Sequence, residues 1–119
     1  MRQMAVIAAI ASLYGLTSAA QACGIRGQRW QFGQTVSYSL TAKPGERCGH
    51  ATRVFGTSVL ESMRIGSKPR HGRAYVYGSS WGYRSAKGFK GQDSFSVLAR
   101  GHSRVSQGTT TINVSVSVQ

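Results

Sequence analysis

The stretch that most constrains the fold is a glycine-framed turn followed by an aspartate and a strand, Gly-Phe-Lys-Gly-Gln-Asp-Ser-Phe at positions 88–95. Gly88 and Gly91 allow tight turning because glycine adopts backbone conformations that other residues avoid. Asp93 stands just before a strand, where its carboxylate can accept backbone N–H hydrogen bonds. A metal ligand or an acid is the alternative role of Asp93. The predicted structural residues are Gly88, Phe89, Gly91, Asp93 and Phe95 of this stretch, together with Gly72 earlier in the chain.

Alternation of apolar and polar residues predicts several strands, most clearly at Thr109–Val118. The other predicted strands are Thr35–Leu40, Val59–Ile65, Gly72–Tyr77, Tyr83–Ser85 and Ser94–Arg100. Cys48–Phe55 fits a strand or a loop, and a short helix at Ser58–Met63 is the alternative to a strand there. Gly78–Gly82, which includes Trp81, is predicted to be a hairpin loop. Six or seven short strands without a convincing helix predict an all-β sandwich.

The first twenty-two residues have the pattern of a secretory signal peptide. Arg2 precedes an apolar run, and small residues then offer cleavage after Ala22 or after Ala20. The alternatives are a membrane anchor, for which the run is short, and a lipoprotein with Cys23 as its first residue. Residues 23–119 are then a single exported domain, periplasmic or extracellular, with no further stretch apolar enough to span a membrane.

Two cysteines, Cys23 and Cys48, remain after the signal peptide. Export brings them into an oxidising compartment, so they are predicted to form a disulfide. The alternatives are two free thiols, or a metal site that includes His50. The segment Cys48-Gly49-His50 lacks the usual spacing of metal ligands, and no cofactor is expected.

The chain is strongly basic, with 15 lysines and arginines against 3 acidic residues. Such a field favours anionic partners and salt-dependent association. For an exported protein those partners are acidic polysaccharide, lipid phosphate or another envelope component. The alternative is that the charge only maintains solubility.

The segments Pro69–Ala74 and Gly82–Val97 resemble the bacterial immunoglobulin-like or cadherin-like repeat of exported proteins. That repeat has the pattern P-x-H-G, then Y-x-P-x-x-G-F-x-G-x-D-x-F, and a valine-rich final strand. The match covers about Ile65–Val118. The resemblance implies a β-sandwich of adhesive or structural type, usually without catalysis. Ser85 departs from the frequent proline, and the acidic calcium-binding motifs of true cadherins are absent.

The residues of enzymatic chemistry are sparse and scattered. Glu46, Glu61 and Asp93 belong to different predicted elements, so no carboxylate pair is expected. His71 is interpreted as a turn histidine, and no G-x-S-x-G elbow is present. No catalytic residue and no metal site are predicted; an enzyme would depend on His71 or Asp93.

The best candidate for function is a basic and aromatic surface around the Gly72–Ser85 hairpin. Arginine beside an aromatic ring suits sugar stacking or phosphate contact. The alternative is that the tyrosines pack in the core and the arginines form a solvated rim. The predicted binding residues are Arg64, Lys68, Arg70, Arg73, Tyr75, Tyr77, Trp81, Arg84, Lys87 and Lys90.

Two functions follow from these features. The first is a small exported, non-enzymatic immunoglobulin-like domain that binds an anionic polysaccharide or envelope component. The alternative is a structural or adhesive module for another exported protein, with Thr109–Val118 pairing at a sheet edge. No nucleic-acid module is present, so specific nucleic-acid binding is not expected.

Overall fold

The computed structural model describes residues 23–54 and 56–119, which form eight β-strands and no helix. The predicted signal peptide, residues 1–22, lies outside the described residues. The strands are β1 (Gly24–Arg26), β2 (Thr35–Ala42), β3 (Arg47–Ala51), β4 (Val59–Ile65), β5 (Gly72–Tyr77), β6 (Ser80–Ser85), β7 (Gly91–His102) and β8 (Gln107–Val118).

The strands form two sheets, and the fold is all-β and sandwich-like. The larger sheet has the order β1-β2-β8-β7-β4 and the smaller one the order β3-β6-β5. Strands β2 and β8 pair in parallel, whereas all other neighbours pair antiparallel. Eight strands replace the expected six or seven because β1 and β3 are both formed.

The core lies between the sheets and follows the predicted alternation. Along β8, Ile112, Val114, Val116 and Val118 are each at most 3% exposed, while the intervening residues face away from the core. Strand β2 alternates in the same way through Val36, Tyr38, Leu40 and Ala42. Strand β4 extends over the segment for which a helix was the alternative, with Met63 and Ile65 packed against the core.

The terminal strand is central, so the expectation that it lies at a sheet edge is wrong. All twelve residues of β8 pair with β7, and Thr111–Val118 also pair with β2. Both of its edges are therefore occupied by neighbouring strands. The outermost strands are β1 and β4 in the larger sheet and β3 and β5 in the smaller one.

Trp81 belongs to the core, which corrects its predicted place in a hairpin loop. The turn consists only of Gly78 and Ser79, because Tyr77 already pairs with Ser80. Trp81 therefore lies within β6 and is 1% exposed. Its ring makes edge contacts with Tyr38 and Phe95, at centroid distances of 5.9 Å each.

The predicted disulfide between Cys23 and Cys48 is present, with a Cα–Cα distance of 5.7 Å. Cys23 directly precedes β1, at the edge of the larger sheet, and Cys48 lies in β3, at the edge of the smaller one. The bond therefore joins the two sheets along one side of the core.

Replacing both cysteines by serine should lower the free energy of unfolding by about 3–4 kcal/mol, because the bond closes a loop between residues 25 positions apart. Urea unfolding of the oxidised protein and of the Cys23→Ser/Cys48→Ser variant measures the difference. Equal midpoints and slopes would show that the bond contributes nothing to stability.

Candidate functional site

The outer face of the smaller sheet carries arginines and tyrosines. Cys48, Ala74 and Tyr83 point into the core, so their neighbours along β3, β5 and β6 point outward. The outward residues are Arg47, Gly49 and Ala51 of β3, Ser80, Gly82 and Arg84 of β6, and Arg73, Tyr75 and Tyr77 of β5.

Three arginines lie side by side across this face. Arg47 is directly opposite Arg84, and Arg84 is directly opposite Arg73. Directly opposed residues have Cα atoms about 4.5–5.5 Å apart, and like charges at this spacing destabilise a sheet. Within the described residues, none of the three guanidinium groups is ion-paired with a carboxylate. We refer to Arg47, Arg84 and Arg73 as the arginine row.

Tyr75 lies across the sheet beside the arginine row. It shares a register line with Gly49 and Gly82. A Cβ atom on Gly82 would stand 2.4 Å from the Tyr75 hydroxyl oxygen, so the ring occupies the space that a side chain at position 82 would need. The Cζ atom of Arg47 lies 5.5 Å from the ring centroid, which is a cation–π distance.

One further contact and one exposed side chain complete this surface. The Arg84 Nε donates a 2.8 Å hydrogen bond to the carbonyl oxygen of Gly45, which holds the side chain along the sheet. Tyr77 is 84% exposed at the end of β5. We define the arginine–tyrosine face as the arginine row together with Tyr75 and Tyr77.

The structure separates the predicted binding residues into groups. Arg73, Tyr75, Tyr77 and Arg84 share the arginine–tyrosine face. Trp81 faces the core and is 1% exposed, so it is not part of this face. Arg64 lies on β4, in the other sheet. Lys68, Arg70, Lys87 and Lys90 are exposed in the loops that follow β4 and β6.

Arg47 is the member of the face that the sequence analysis missed. The signal was present in the alternation Arg47-Cys48-Gly49, because a disulfide-bonded Cys48 inside the sandwich places both neighbours outside. The segment was ambiguous between strand and loop, so this alternation could not be assigned to a face.

The Asp93 carboxylate fixes the loops beyond the arginine row. It accepts hydrogen bonds from the backbone amides of Arg70, His71 and Ser94, each at 2.9 Å, and from the Tyr83 hydroxyl at 2.8 Å. His71 stacks on Phe89, with ring centroids 4.3 Å apart. The contacts give Asp93 and His71 structural positions at the corner of the sandwich.

Burial and hydrogen bonding shift the pKa values of Asp93 and Tyr83. Partial burial alone raises the pKa of the Asp93 carboxyl, but the donors from Arg70, Tyr83, His71 and Ser94 outweigh it and lower the pKa. Burial, together with the bond to Asp93, raises the pKa of Tyr83. Asp93 is therefore ionised and Tyr83 protonated at neutral pH.

The described residues contain no group of three or more His, Cys, Asp or Glu side chains placed to hold a metal ion. Glu61 instead contacts His102, at 2.6 Å from Nδ1, and Arg100, all on the larger sheet. Across residues 23–54 and 56–119, there is also no helix suited to spanning a membrane.

Comparison with protein-family models gives no match, and comparison with curated proteins gives none either. Support for a function therefore comes from the geometry of the arginine–tyrosine face.

Replacing Asp93 by asparagine should destabilise the fold by about 2–4 kcal/mol at pH 7, because the amide cannot accept all four hydrogen bonds. The folded-state pKa of Asp93 is lowered from 3.8. Its contribution is therefore complete above pH 3.8 and is lost as the pH falls through the folded-state value. Urea unfolding at pH 7 and at acidic pH measures both effects.

The matched control is Glu46→Gln, which makes the same change of charge in the exposed turn before β3. That variant should unfold like the wild type. If Asp93→Asn were as stable as Glu46→Gln at pH 7, the Asp93 hydrogen bonds would not stabilise the corner.

Proposed function

We propose that residues 1–22 are a cleaved signal peptide and that residues 23–119 form an exported immunoglobulin-like domain. On this proposal the domain is not an enzyme. It binds an anionic polysaccharide or another anionic component of the cell envelope or its surroundings through the arginine–tyrosine face. The arginine row is the observation that carries the proposal.

Strand order supports the immunoglobulin-like assignment. Immunoglobulin sheets contain the orders B-E-D and G-F-C. If β3 is strand B and β8 is strand G, the orders β3-β6-β5 and β8-β7-β4 correspond to these, with β2 added beside strand G. The disulfide departs from the antibody pattern, because it joins β3 to the residue before β1 and not to β7.

Two observations support export. The apolar amino-terminal segment with small residues before Cys23 fits a signal peptide. The Cys23–Cys48 disulfide fits an oxidising compartment such as the periplasm or the extracellular space.

The arginine row supports the inference of an anionic partner, because repulsion between its like charges destabilises the folded protein. Directly opposed like charges destabilise a sheet, and no carboxylate in the described residues is ion-paired with these arginines. Guanidinium groups bind carboxylate, sulfate or phosphate through paired hydrogen bonds. Three of them in register across neighbouring strands suit a partner that repeats its negative charges.

The variant Arg73→Gln/Arg84→Gln should weaken binding to an immobilised polyuronate or to phosphate-bearing lipopolysaccharide by about 10- to 100-fold, since two charge-assisted hydrogen bonds are lost. Binding of the wild type should fall steeply with salt. Retention of exported, oxidised protein across a salt series measures both effects.

The matched control is Arg26→Gln/Arg64→Gln, which removes the same two charges from exposed positions on β1 and β4 of the larger sheet. That variant should retain most of the affinity. Equal weakening by the two double variants would show that net charge, and not the arginine row, drives retention. Removing Arg73 and Arg84 should also leave stability nearly unchanged, because the relief of their mutual repulsion offsets the loss of the Arg84–Gly45 hydrogen bond.

A further inference from the structure

A second feature lies at the end of the sandwich that carries the β5–β6 and β7–β8 turns. It is a cleft of about 440 Å³, within the range of about 300–1,000 Å³ that is usual for small-molecule sites. Its accessible aromatic residues are the partly exposed Trp30 and His50, backed by the buried rings of Phe32, Tyr38 and Trp81. We call it the aromatic cleft.

The walls of the aromatic cleft are held by packing within the domain. Trp30 meets Phe32 edge to face at 5.5 Å, and Tyr38 meets Trp81 in the same way. The Tyr38 hydroxyl donates a 2.9 Å hydrogen bond to the carbonyl oxygen of Gln28. Phe32, Tyr38 and Trp81 are buried and Trp30 is partly buried, so the walls are already in place without a ligand.

His50 contributes its two ring nitrogens to the lining of the aromatic cleft. Its ring packs on Tyr38 at 5.6 Å and on Trp81 at 5.3 Å, and neither ring nitrogen makes a hydrogen bond within the described residues. Burial lowers the pKa of His50, so the ring is neutral at pH 7 and has one donor and one acceptor. Neutral polar side chains accompany it in the lining, including Gln28, Gln31, Thr52 and Ser106.

The charge of the lining is positive. Arg29 and Arg53 are part of it, and the described residues of the lining include no aspartate or glutamate. Aromatic, neutral polar and positively charged residues therefore line one space. This combination suits a ligand that has an apolar face, hydroxyl groups and a negative charge.

The aromatic cleft adjoins the arginine–tyrosine face. The shallow depression bordered by Arg47, Tyr75 and Tyr77 shares His50, Ala51 and Trp81 with the lining of the cleft. A ligand that crosses the arginine row and passes Tyr75 and Tyr77 thus reaches the mouth of the cleft without leaving the surface.

We propose that the aromatic cleft holds one sugar unit of an acidic polysaccharide whose neighbouring units lie on the arginine–tyrosine face. This inference rests on the proposed function and names its ligand class. A pyranose ring has C–H faces that pack on aromatic rings, hydroxyl groups that bond neutral polar side chains, and, in a uronic acid, a carboxylate for arginine. A linear polyphosphate has the charges alone and leaves the aromatic walls without a partner.

The test compares a short oligogalacturonate with a linear polyphosphate of matched charge, using exported, oxidised protein. Calorimetry gives the affinities, and tryptophan fluorescence reports on Trp30 and Trp81. The oligogalacturonate should shift the fluorescence. Trp30→Ala should weaken oligogalacturonate binding by about tenfold, since one aromatic stacking contact is lost, and should leave polyphosphate binding within about twofold.

His50→Leu provides a second variant that keeps a wall of similar bulk and removes the ring nitrogens. It should also weaken oligogalacturonate binding selectively, by about fivefold to tenfold, since one hydrogen bond is lost. Near-ultraviolet circular dichroism checks that each variant is folded, and if Trp30→Ala fails this check the result for His50→Leu decides.

The outcomes separate this inference from the function on which it rests. Equal effects of the cleft variants on both ligands, or no effect on either, overturn the sugar subsite. Binding of polyphosphate without binding of oligogalacturonate overturns the sugar subsite but leaves the proposed anion-binding function intact. If the wild type binds neither ligand at low salt, both proposals are wrong.

Discussion

The structure depends on the strict alternation along β8. Its four apolar residues from Ile112 to Val118 face the core, and its backbone pairs with β2 on one side and β7 on the other. Each buried side chain of this kind contributes about 1.5–3 kcal/mol. A slip of one residue would expose all four side chains, so the alternation also fixes the register of both neighbours. The larger sheet thereby forms a base against which Trp81 and Tyr83 of the smaller sheet pack.

Strand β6 shows how one short segment serves both the core and the surface. Trp81 and Tyr83 anchor the smaller sheet, while Gly82 and Arg84 between and after them belong to the outer face. The aromatic anchors support the strand that carries Arg84 at the middle of the arginine row. Trp81 also supports the aromatic cleft from the core side, because its buried ring packs on the ring of His50.

The sequence predicted the all-β class, most strand positions and the disulfide because these depend on simple patterns: period-2 alternation, and two cysteines that follow a predicted signal peptide. The arginine–tyrosine face was predicted only in part. Arg73, Tyr75, Tyr77 and Arg84 share a hairpin, so alternation alone brings them together. Arg47 and the aromatic cleft depend on contacts between distant segments, which one sequence does not specify. Trp81 was wrongly predicted to lie in a loop, and β8 was wrongly predicted to lie at a sheet edge. Neither a two-residue turn nor a parallel neighbouring strand leaves a clear pattern in the local sequence.

The contact between Tyr75 and Gly82 has a thermodynamic consequence for any partner of this face. A surface tyrosine or arginine normally loses rotamer freedom when a ligand binds, at a cost of about 0.5–1.5 kcal/mol for each side chain. Tyr75 lies in a space left by two glycines beneath the Arg47 guanidinium, and Arg84 is tied to the Gly45 carbonyl. Folding has therefore already restricted Tyr75 and Arg84, so this part of the face would lose little rotamer freedom when a ligand binds.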